Sequence, residues 1–570
     1  GEGKTSLVAN WAAELAAQDW PGCDAVFAGS FYSQGSSEQN AASSDLFLAE
    51  ALRFFGDEAM ANSAAGAFDK GKRLAQIVGQ QRALLILDGL EPLQYAPTSP
   101  TAGELKDQGL AALLKGLATT NKGLCVVTTR YAIPDLRTFV GKTVQEERLT
   151  RLSTAAGVAL LKTLGVRGSL RKTIPADKPQ WNEYEQLVED VKGHALTLNL
   201  LGSYLRDAHA GDIRQRDLIK LEEANDEVQG GHAFHVMDAY VRWLEGSESE
   251  SSESRLQAET ARRAEERAAG AQPPKGGTLN TSRRALALLQ LLGLFDRPAT
   301  ADCLKALWQA PAIVGLTEPL IGLSEAQRNL SLKRLEDAKL LTVNRDAAGT
   351  LLSLDAHPLL REYFAARVRS GAFRRQQLGT RGRAASQPQP PKGGTTNATS
   401  GAAWREAHRR LYEHLCATTK DKPDATLEDL QPLYQAVAHG CQAGLHQEAC
   451  DNVYFARIYR GDKAYSARKL GAFGSDLGAV VCFFESPWSR VSPTFTEADQ
   501  AWLLNQAAAW LRALGRLTEA LEPMRVSGEM DVKVEQWKGA ATSYSNLSEL
   551  KLTLGEVAGA VGDAEQSVSY

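Results

Sequence analysis

Gly1-Glu2-Gly3-Lys4-Thr5-Ser6-Leu7-Val8 opens the chain and matches the second half of the phosphate-binding pattern G-x-x-x-x-G-K-[ST]. In that pattern the glycine lets backbone N–H groups close around phosphate oxygens, the lysine reaches the β- and γ-phosphates, and the threonine holds Mg²⁺. The residues from Leu7 to Leu15 favour a helix whose N-terminus faces the phosphates. This stretch predicts a nucleoside triphosphate site, the alternative being an ordinary glycine turn that caps a helix.

The two ends of the sequence indicate a fragment. The expected phosphate-binding residues are Gly1, Gly3, Lys4, Thr5 and Ser6, and Thr5 is also an expected Mg²⁺ ligand. The first glycine of the pattern, the strand that should precede it and a starting methionine are all missing. At the other end, Tyr570 falls inside a helical pattern. We therefore expect both an N-terminal and a C-terminal part to be lacking.

Length and composition indicate a multidomain cytoplasmic protein. The 570 residues suffice for three or four domains of roughly 150 residues each. The formal net charge of −4 implies no general attraction to nucleic acid or anionic membranes. The 7 cysteines include no C-x-x-C pair, which indicates reduced thiols. No apolar run approaches the ~18 residues of a membrane span.

Residues 1–150 alternate short apolar runs with helical patterns. The runs Ala25–Ala28, Ala83–Leu87 and Leu124–Val127 have the length of strands, and helical patterns cover Asp45–Phe55 and Leu110–Ala118. Strands that alternate with helices predict a parallel sheet with helices on both faces. Ligands bind beyond the carboxyl ends of the strands in such sheets. We therefore expect an α/β nucleotide-binding domain.

Polar residues follow two of these apolar runs at the expected ligand edge. Asp88 ends the second run, so its carboxylate is placed to hold the Mg²⁺ shell, and Glu91 to orient or deprotonate the attacking water. Arg130 follows the third run, and its guanidinium matches the oxygens of a γ-phosphate. We predict catalytic roles for all three. The alternatives are a strand that ends in a solvated turn and a surface arginine in an ion pair.

The rest of the chain divides into helical and low-complexity segments. The predicted divisions are an NTPase domain over 1–150, a helical domain over 151–245, a linker over 246–282, a winged helix over 283–372, a second linker over 373–402 and helical repeats over 403–570. Both linkers contain Gln-Pro-Pro-Lys-Gly-Gly-Thr, and such Pro/Gly-rich segments cannot bury enough surface to fold. We expect both linkers to be disordered.

The winged-helix prediction rests on the order of elements. Helical patterns over Arg284–Leu294, Ala301–Trp308 and Ser324–Ala338 precede two short apolar runs, Leu340–Val343 and Leu351–Leu354. The two runs flank a turn around residues 346–349, so they predict a β-hairpin. Three helices followed by a hairpin and a further helix indicate a winged helix.

A weak motif recurs in the C-terminal region, where we expect only helices from Trp404 onward. The pattern G-x-x-x-x-A occurs at Gly444, Gly515 and Gly555, and the last two copies are 40 residues apart. A glycine that ends one helix and a small residue within the next are typical of stacked helical hairpins. The spacing exceeds the ~34 residues of an ideal tetratricopeptide repeat, so we expect longer turns.

Taken in order, these motifs resemble those of the STAND class of signalling ATPases, close to the NB-ARC and NACHT-type proteins of bacteria. The segment Gly193–Leu198 resembles the G-x-P-L segment of that class, which contacts the nucleoside, although Ala195 stands where proline is usual. The segment Asp355–Phe364 resembles the winged-helix histidine motif, which contacts the β-phosphate of ADP, although Ala356 and Pro358 depart from the usual flanking residues.

The resemblance implies site residues and a mechanism. Gly193, Ala195 and Leu196 would contact the nucleoside and His357 the ADP phosphate, unless His357 is a core histidine bound by backbone groups; His194 is interpreted as a packing residue. ADP would hold the chain closed, and a protein or peptide trigger at the repeats would allow ATP to replace ADP. The opened chains would form a homo-oligomer and activate an effector domain that precedes the phosphate loop. Hydrolysis would be slow.

Two other functions stay open from the sequence. One is a helical-repeat scaffold with a degenerate nucleotide site, which binds partners without turnover. The other is a transcription regulator of the same class that binds DNA through the winged helix. The net negative charge and the lack of a dense Lys/Arg helix over 324–338 argue against nucleic acid as a partner.

Overall fold

The chain folds into two compact units. The structure, a computed structural model, describes residues 3–31, 43–149, 151–169, 181–219, 231–246, 278–370 and 396–570. Residues 3–7 and 148–407 belong to the first unit, and residues 8–147 and 408–570 to the second. Gly1, most of the two predicted linkers and residues 32–42 lie outside the described residues.

A parallel three-stranded sheet lies in the second unit, as predicted. Its strands are β1 (Ala25–Ser30), β2 (Ala83–Asp88) and β3 (Leu124–Val127), in the order β1-β2-β3. Ser30 pairs with Asp88, and Leu87 pairs with Val127. This register brings the carboxyl ends of all three strands to one edge.

Helices pack on the sheet through an apolar core. These helices are α2 (Asp45–Phe54), α3 (Glu58–Ala61), α4 (Ala67–Val78) and α5 (Gln108–Thr119). The preceding helix, α1 (Lys4–Ala17), begins in the first unit and ends in the second, and none of its residues is buried. The core includes Leu48, Leu52, Leu74, Leu85, Leu87, Leu110 and Leu113. Helices α4 and α5 meet backbone to backbone, because a Cβ on Gly71 would lie 1.9 Å from the carbonyl oxygen of Gly109. Asp107 accepts hydrogen bonds from Ser44 N and Leu110 N, both 2.9 Å, and so caps two helices at once.

The first unit is helical with one small antiparallel sheet. Its helices are α6 (Thr154–Thr163), α7 (Glu183–Asp190), α8 (Ala195–His209), α9 (Gly231–Gly246), α10 (Thr278–Leu292), α11 (Ala301–Leu307), α12 (Glu325–Asp337) and α13 (Pro358–Ser370). Its strands are β4 (Ala299–Thr300), β5 (Thr342–Arg345) and β6 (Leu351–Asp355), in the order β4-β6-β5. The predicted hairpin is confirmed as β5 and β6, and its turn is closed by Asp346, which accepts from Ala348 N and Thr350 N.

The C-terminal part of the second unit is mostly helical. Its helices are α14 (Thr396–Thr418), which begins before the unit does, α15 (Leu427–Ala443), α16 (His446–Glu448), a π-helix (Ala449–Tyr459), α17 (Tyr465–Arg468), α18 (Phe473–Val480), α19 (Glu497–Ala513), α20 (Leu517–Lys533), α21 (Trp537–Thr553) and α22 (Val557–Ser569). The expectation of helices alone was wrong, because β7 (Phe484–Ser486) and β8 (Arg490–Val491) pair antiparallel. We refer to residues 408–570 as the helical array.

The expectation of longer turns in the repeats was also wrong. Helices α19, α20 and α21 have 17 residues each, and three-residue turns follow them at Leu514–Arg516, Val534–Gln536 and Leu554–Glu556. The 40-residue spacing therefore covers two helices and two short turns. The extra length relative to a tetratricopeptide repeat lies in the helices.

The sheet region and the helical array form one unit, a relationship that the sequence did not indicate. Lys70 Nζ donates to Leu470 O at 2.7 Å, and Ser475 N donates to Asp45 at 2.9 Å. The backbones approach closely at Gly471, where a Cβ would lie 2.3 Å from the carbonyl oxygen of Ala65. Of the helices that the structure describes, none combines the length and the apolar composition needed to cross a membrane.

Candidate nucleotide site

The carboxyl end of β2 presents Asp88 at the edge of the sheet. The five residues that precede it in β2 are buried, so the carboxylate is the first polar group that the strand offers. Thr128 Oγ1 donates to Asp88 Oδ1 at 2.6 Å and accepts from Gly89 N at 2.9 Å. This chain of hydrogen bonds fixes the carboxylate at the ligand edge. Carboxylate oxygens are ligands that Mg²⁺ prefers, so Asp88 fits the metal-binding role predicted for it.

Glu91 and Arg130 lie near each other, at the same end of the strands as Asp88. The N–H groups of Gly89 and Leu90 donate to Thr128 O at 3.1 and 3.0 Å, which holds the start of the β2–α5 loop against the end of β3. Glu91 then begins a short 3₁₀ turn, and its Oε1 lies 3.6 Å from Arg130 Nε. Both side chains are mostly buried. The structure thus brings together all three residues predicted as catalytic.

Gln94 is a residue of this edge that the sequence did not indicate. Its side chain is 2 % exposed, and its Nε2 donates to Gly103 O at 2.8 Å and to Ala132 O at 3.1 Å. Its Oε1 accepts a short hydrogen bond from Thr129 Oγ1. Gln94 therefore connects the β2–α5 loop to the loop that carries Arg130. A single glutamine in a loop has no sequence pattern that would have identified it.

In the first unit, the Gly-Lys-Thr segment forms the start of α1. Gly3 has φ +89°, a left-handed conformation that glycine adopts at little cost, and its carbonyl accepts from Leu7 N at 2.9 Å. Lys4, Thr5 and Ser6 occupy the first turn, where helix N–H groups have no intrahelical acceptor and favour anions. This geometry agrees with both sequence interpretations, a phosphate loop and a glycine turn at a helix start.

Gly193, Ala195 and Leu196 lie at the N-terminus of α8. Gly193 has φ +62°, and a Cβ there would lie 2.5 Å from Leu152 O. His194 caps the helix, since its Nδ1 accepts from Thr197 N at 3.3 Å, so its role is more specific than the packing that we inferred. Ala195 is the first helical residue, a position that proline favours, so the departure from the G-x-P-L pattern leaves the local fold intact.

His357 precedes α13 and has a similar role. Its Nδ1 accepts from Leu359 N at 3.2 Å, and Pro358 occupies the first helical position. This contact with a backbone N–H agrees with the alternative interpretation, in which His357 is a core histidine bound by backbone groups. Because Nδ1 is the acceptor, the neutral ring carries its proton on Nε2, which is the donor that a phosphate contact requires. The assignments of Gly193, Ala195, Leu196 and His357 to the nucleotide, and of Thr5 and Asp88 to Mg²⁺, stay predictions.

The comparisons with known proteins found matches among solved structures only. No protein-family model matches the chain, and no curated protein matches it. Among solved structures, the chain is similar to a Signal Transduction ATPase with Numerous Domains (STAND) protein with a tetratricopeptide repeat sensor from Pyrococcus horikoshii. The match covers 100% of this chain and 72% of that chain at 12% sequence identity, with a TM-score of 0.38. No residue role is assigned from this similarity.

Proposed function

We propose that this chain is a nucleotide-dependent signalling switch that binds ATP or ADP with Mg²⁺ and hydrolyses ATP slowly. The observation that carries the proposal is the group at one edge of the parallel sheet: Asp88 fixed by Thr128, and Glu91 paired with Arg130. An acid at a strand end, a second acid and an arginine after the next strand are the parts that phosphoryl transfer needs for metal, water and γ-phosphate.

Each predicted residue has a distinct role in this proposal. Lys4 contacts the phosphates, and Thr5 and Asp88 hold Mg²⁺, which would neutralise charge on the phosphates. Glu91 orients the attacking water. The nucleoside contacts Gly193, Ala195 and Leu196, and His357 donates to the β-phosphate of ADP; Gly1, Gly3 and Ser6 complete the phosphate loop.

The ion pair between Arg130 and Glu91 accounts for slow turnover. While Arg130 is paired, Oε1 of Glu91 lies 3.6 Å from the Arg130 guanidinium, so the carboxylate is less available to a water molecule. The γ-phosphate of ATP, with its greater charge, competes for Arg130 and releases Glu91 toward water. ADP has no γ-phosphate and leaves the pair intact. Hydrolysis then restores the paired state, as a switch requires.

The remaining parts of the proposal concern the other domains. Residues 283–372 are a winged helix that helps to hold ADP, and the helical array is a set of tetratricopeptide-like repeats that binds a protein or peptide trigger. The active form is a cytoplasmic homo-oligomer that activates an effector domain.

Nucleotide binding and turnover test the proposal directly. Lys4→Ala and Asp88→Asn are compared with the wild type by calorimetric titration of Mg²⁺–ADP and Mg²⁺–ATP and by single-turnover hydrolysis. We expect both variants to lose at least about tenfold in affinity or rate, the effect of ~1.4 kcal/mol. The exposed Lys72, changed to alanine, is the matched control and should behave as the wild type. Unchanged binding in Lys4→Ala would refute the assignment of the phosphate loop.

A second candidate function is a partner-binding scaffold that binds nucleotide without turnover. The Arg130–Glu91 pair favours it, because a permanently paired Glu91 cannot act on water. The variant Arg130→Gln distinguishes the switch from the scaffold. In the switch, this change lowers the affinity for ATP relative to ADP and alters the hydrolysis rate; in the scaffold, hydrolysis is absent before and after the change.

A further inference from the structure

The β2–α5 loop is attached to two different parts of the second unit through adjacent residues. Gln94 binds the loop that carries Arg130, as described above. The next residue, Tyr95, donates its hydroxyl to Glu519 Oε1 on α20 at 3.0 Å. Gln94 has φ −106° and ψ 152°, an extended conformation in which successive side chains point to opposite sides. One rigid backbone segment therefore connects the Arg130 loop to the helical array.

The array end of this connection is held firmly. Arg516 donates two hydrogen bonds to Glu519, at 2.8 and 2.7 Å, and only 11% of the Arg516 side chain is exposed. Burial would raise the pKa of Glu519, but the hydrogen bonds from Arg516 and Tyr95 lower it overall, so the acceptor stays charged. Burial and the charge of Glu519 raise the pKa of Tyr95 to about 12, so the donor stays neutral.

Backbone hydrogen bonds within the β2–α5 loop also hold the segment around Gln94 and Tyr95 in place. Tyr95 N donates to Glu104 O at 2.8 Å, and Gly103 N donates to Tyr95 O at 3.0 Å. Lys106 N donates to Leu93 O at 2.8 Å. A displacement of Tyr95 is therefore transmitted to Gly103 and, through the side chain of Gln94, to the backbone on the far side of Arg130.

We propose that Glu519 is a positioning residue for Arg130, acting through Tyr95 and Gln94. The helical array thereby sets whether Arg130 stays beside Glu91 or is released to meet a phosphate. A trigger that moves α20 by the length of a hydrogen bond removes the support of Tyr95 and loosens the Arg130 loop. The effect on nucleotide rests on the proposed function, whereas the mechanical link from Glu519 to the loop does not.

Hydrogen–deuterium exchange of the nucleotide-free full chain tests the link. The variants are Tyr95→Phe and Glu519→Gln, which keep size and shape. The control is Glu522→Gln, which removes the same charge from an exposed pair with Arg525 on the same helix. We expect the two variants to raise exchange about tenfold in residues 93–106 and 129–133, the effect of one lost charged hydrogen bond. The double variant should exceed neither single variant, and the control should match the wild type.

The outcomes separate the link from the proposed function. Exchange at wild-type level in both variants, or additive effects in the double variant, would overturn the proposal. If exchange rises, the same variants should also release a fluorescent ADP analogue faster than the Glu522→Gln control does; equal release rates would overturn the positioning of Arg130. A wild type that binds no nucleotide overturns the proposed function, and exchange alone then decides the link.

Discussion

We predict that the stability of the second unit depends on pH because of the buried carboxyl group of Asp476. This residue of α18 is fully buried, and it accepts hydrogen bonds from Tyr434 and Ser466, each at 2.7 Å. Burial raises the pKa of Asp476 from 3.8 to about 7; the two hydrogen bonds oppose the rise, and the charge of Asp45 adds to it. In the unfolded chain the pKa returns to its ordinary value.

The sign and size follow from these two pKa values. Between about pH 4 and pH 7 the folded protein binds a proton at Asp476 that the unfolded chain does not, so its stability falls as pH rises. The contribution is fully present below pH 4 and is lost as pH rises through 7. Between pH 5 and pH 8 the loss is ~2.5 kcal/mol, at about 1.36 kcal/mol for each unit of pH within the window.

The measurement is urea unfolding at pH 5 and pH 8 for the wild type and for Asp476→Asn. The amide keeps the shape of the carboxyl group but does not titrate, so the variant should lose ~2.5 kcal/mol of the pH-dependent difference in unfolding free energy. Asp451→Asn, at an exposed position, is the matched control and should keep the wild-type difference. If Asp476→Asn retains the wild-type pH dependence within about 0.5 kcal/mol, the reasoning from burial fails.

Three further predictions concern backbone geometry. Glu535 has φ +58°, a conformation that glycine adopts at lower cost, so Glu535→Gly should raise the free energy of unfolding by about 1 kcal/mol. Glu529→Gly, within α20, should lower the free energy of unfolding by a similar amount, and urea unfolding of both variants checks this. Gly71→Ala should lower it by about 3 kcal/mol, because the new Cβ collides with the backbone of Gly109, and a smaller loss would mean that α4 and α5 separate easily. Ala195→Pro should leave the melting temperature within about 2 °C of the wild type, because the first helical position needs no N–H donor; a larger drop in a thermal scan would contradict the assigned helix start.

The strands and the hairpin could be predicted because short apolar runs that stop at polar residues mark them in the sequence. The strand β2 is buried on both faces, so it appears in the sequence as a continuous apolar run that stops at Asp88. The edge on which Asp88, Glu91 and Arg130 meet then follows from the parallel arrangement alone. These inferences need only neighbouring residues and the geometry of a parallel sheet.

The repeat was misread because one of its turns lacks the usual residue. The turns at Gly515 and Gly555 have glycine in the left-handed conformation, and the intervening turn has Glu535 there. A search for glycines therefore misses the middle turn, so it does not show that two 17-residue helices fill most of the 40-residue spacing. The helices were longer than expected, and the turns were not.

The contact of the sheet region with the helical array could not be predicted from one sequence. Lys70 and Leu470 are 400 positions apart, and no sequence pattern around either residue indicates the other as its partner. The same holds for Tyr95 and Glu519. Pairings of this kind depend on the complete fold, which also brings the backbone of Gly471 close to the backbone of Ala65.

The charges in this contact bear on how the proposed switch operates. Asp45 and Asp476 are both buried, burial and the charge of Asp107 raise the pKa of Asp45 to about 6, and the charge of Asp45 adds to the rise in the pKa of Asp476. Near neutral pH Asp45 is largely ionised and Asp476 is about half ionised, so their repulsion offsets part of the stabilisation from the hydrogen bonds of Lys70 and Ser475. The contact is therefore weaker than its number of hydrogen bonds indicates. In the proposed switch, the trigger separates the array from the sheet region. To do so it must bind the separated state more tightly than the joined state by at least the free energy of this contact, because a ligand shifts an equilibrium by no more than its preference for one state. The weaker the contact, the smaller this preference needs to be.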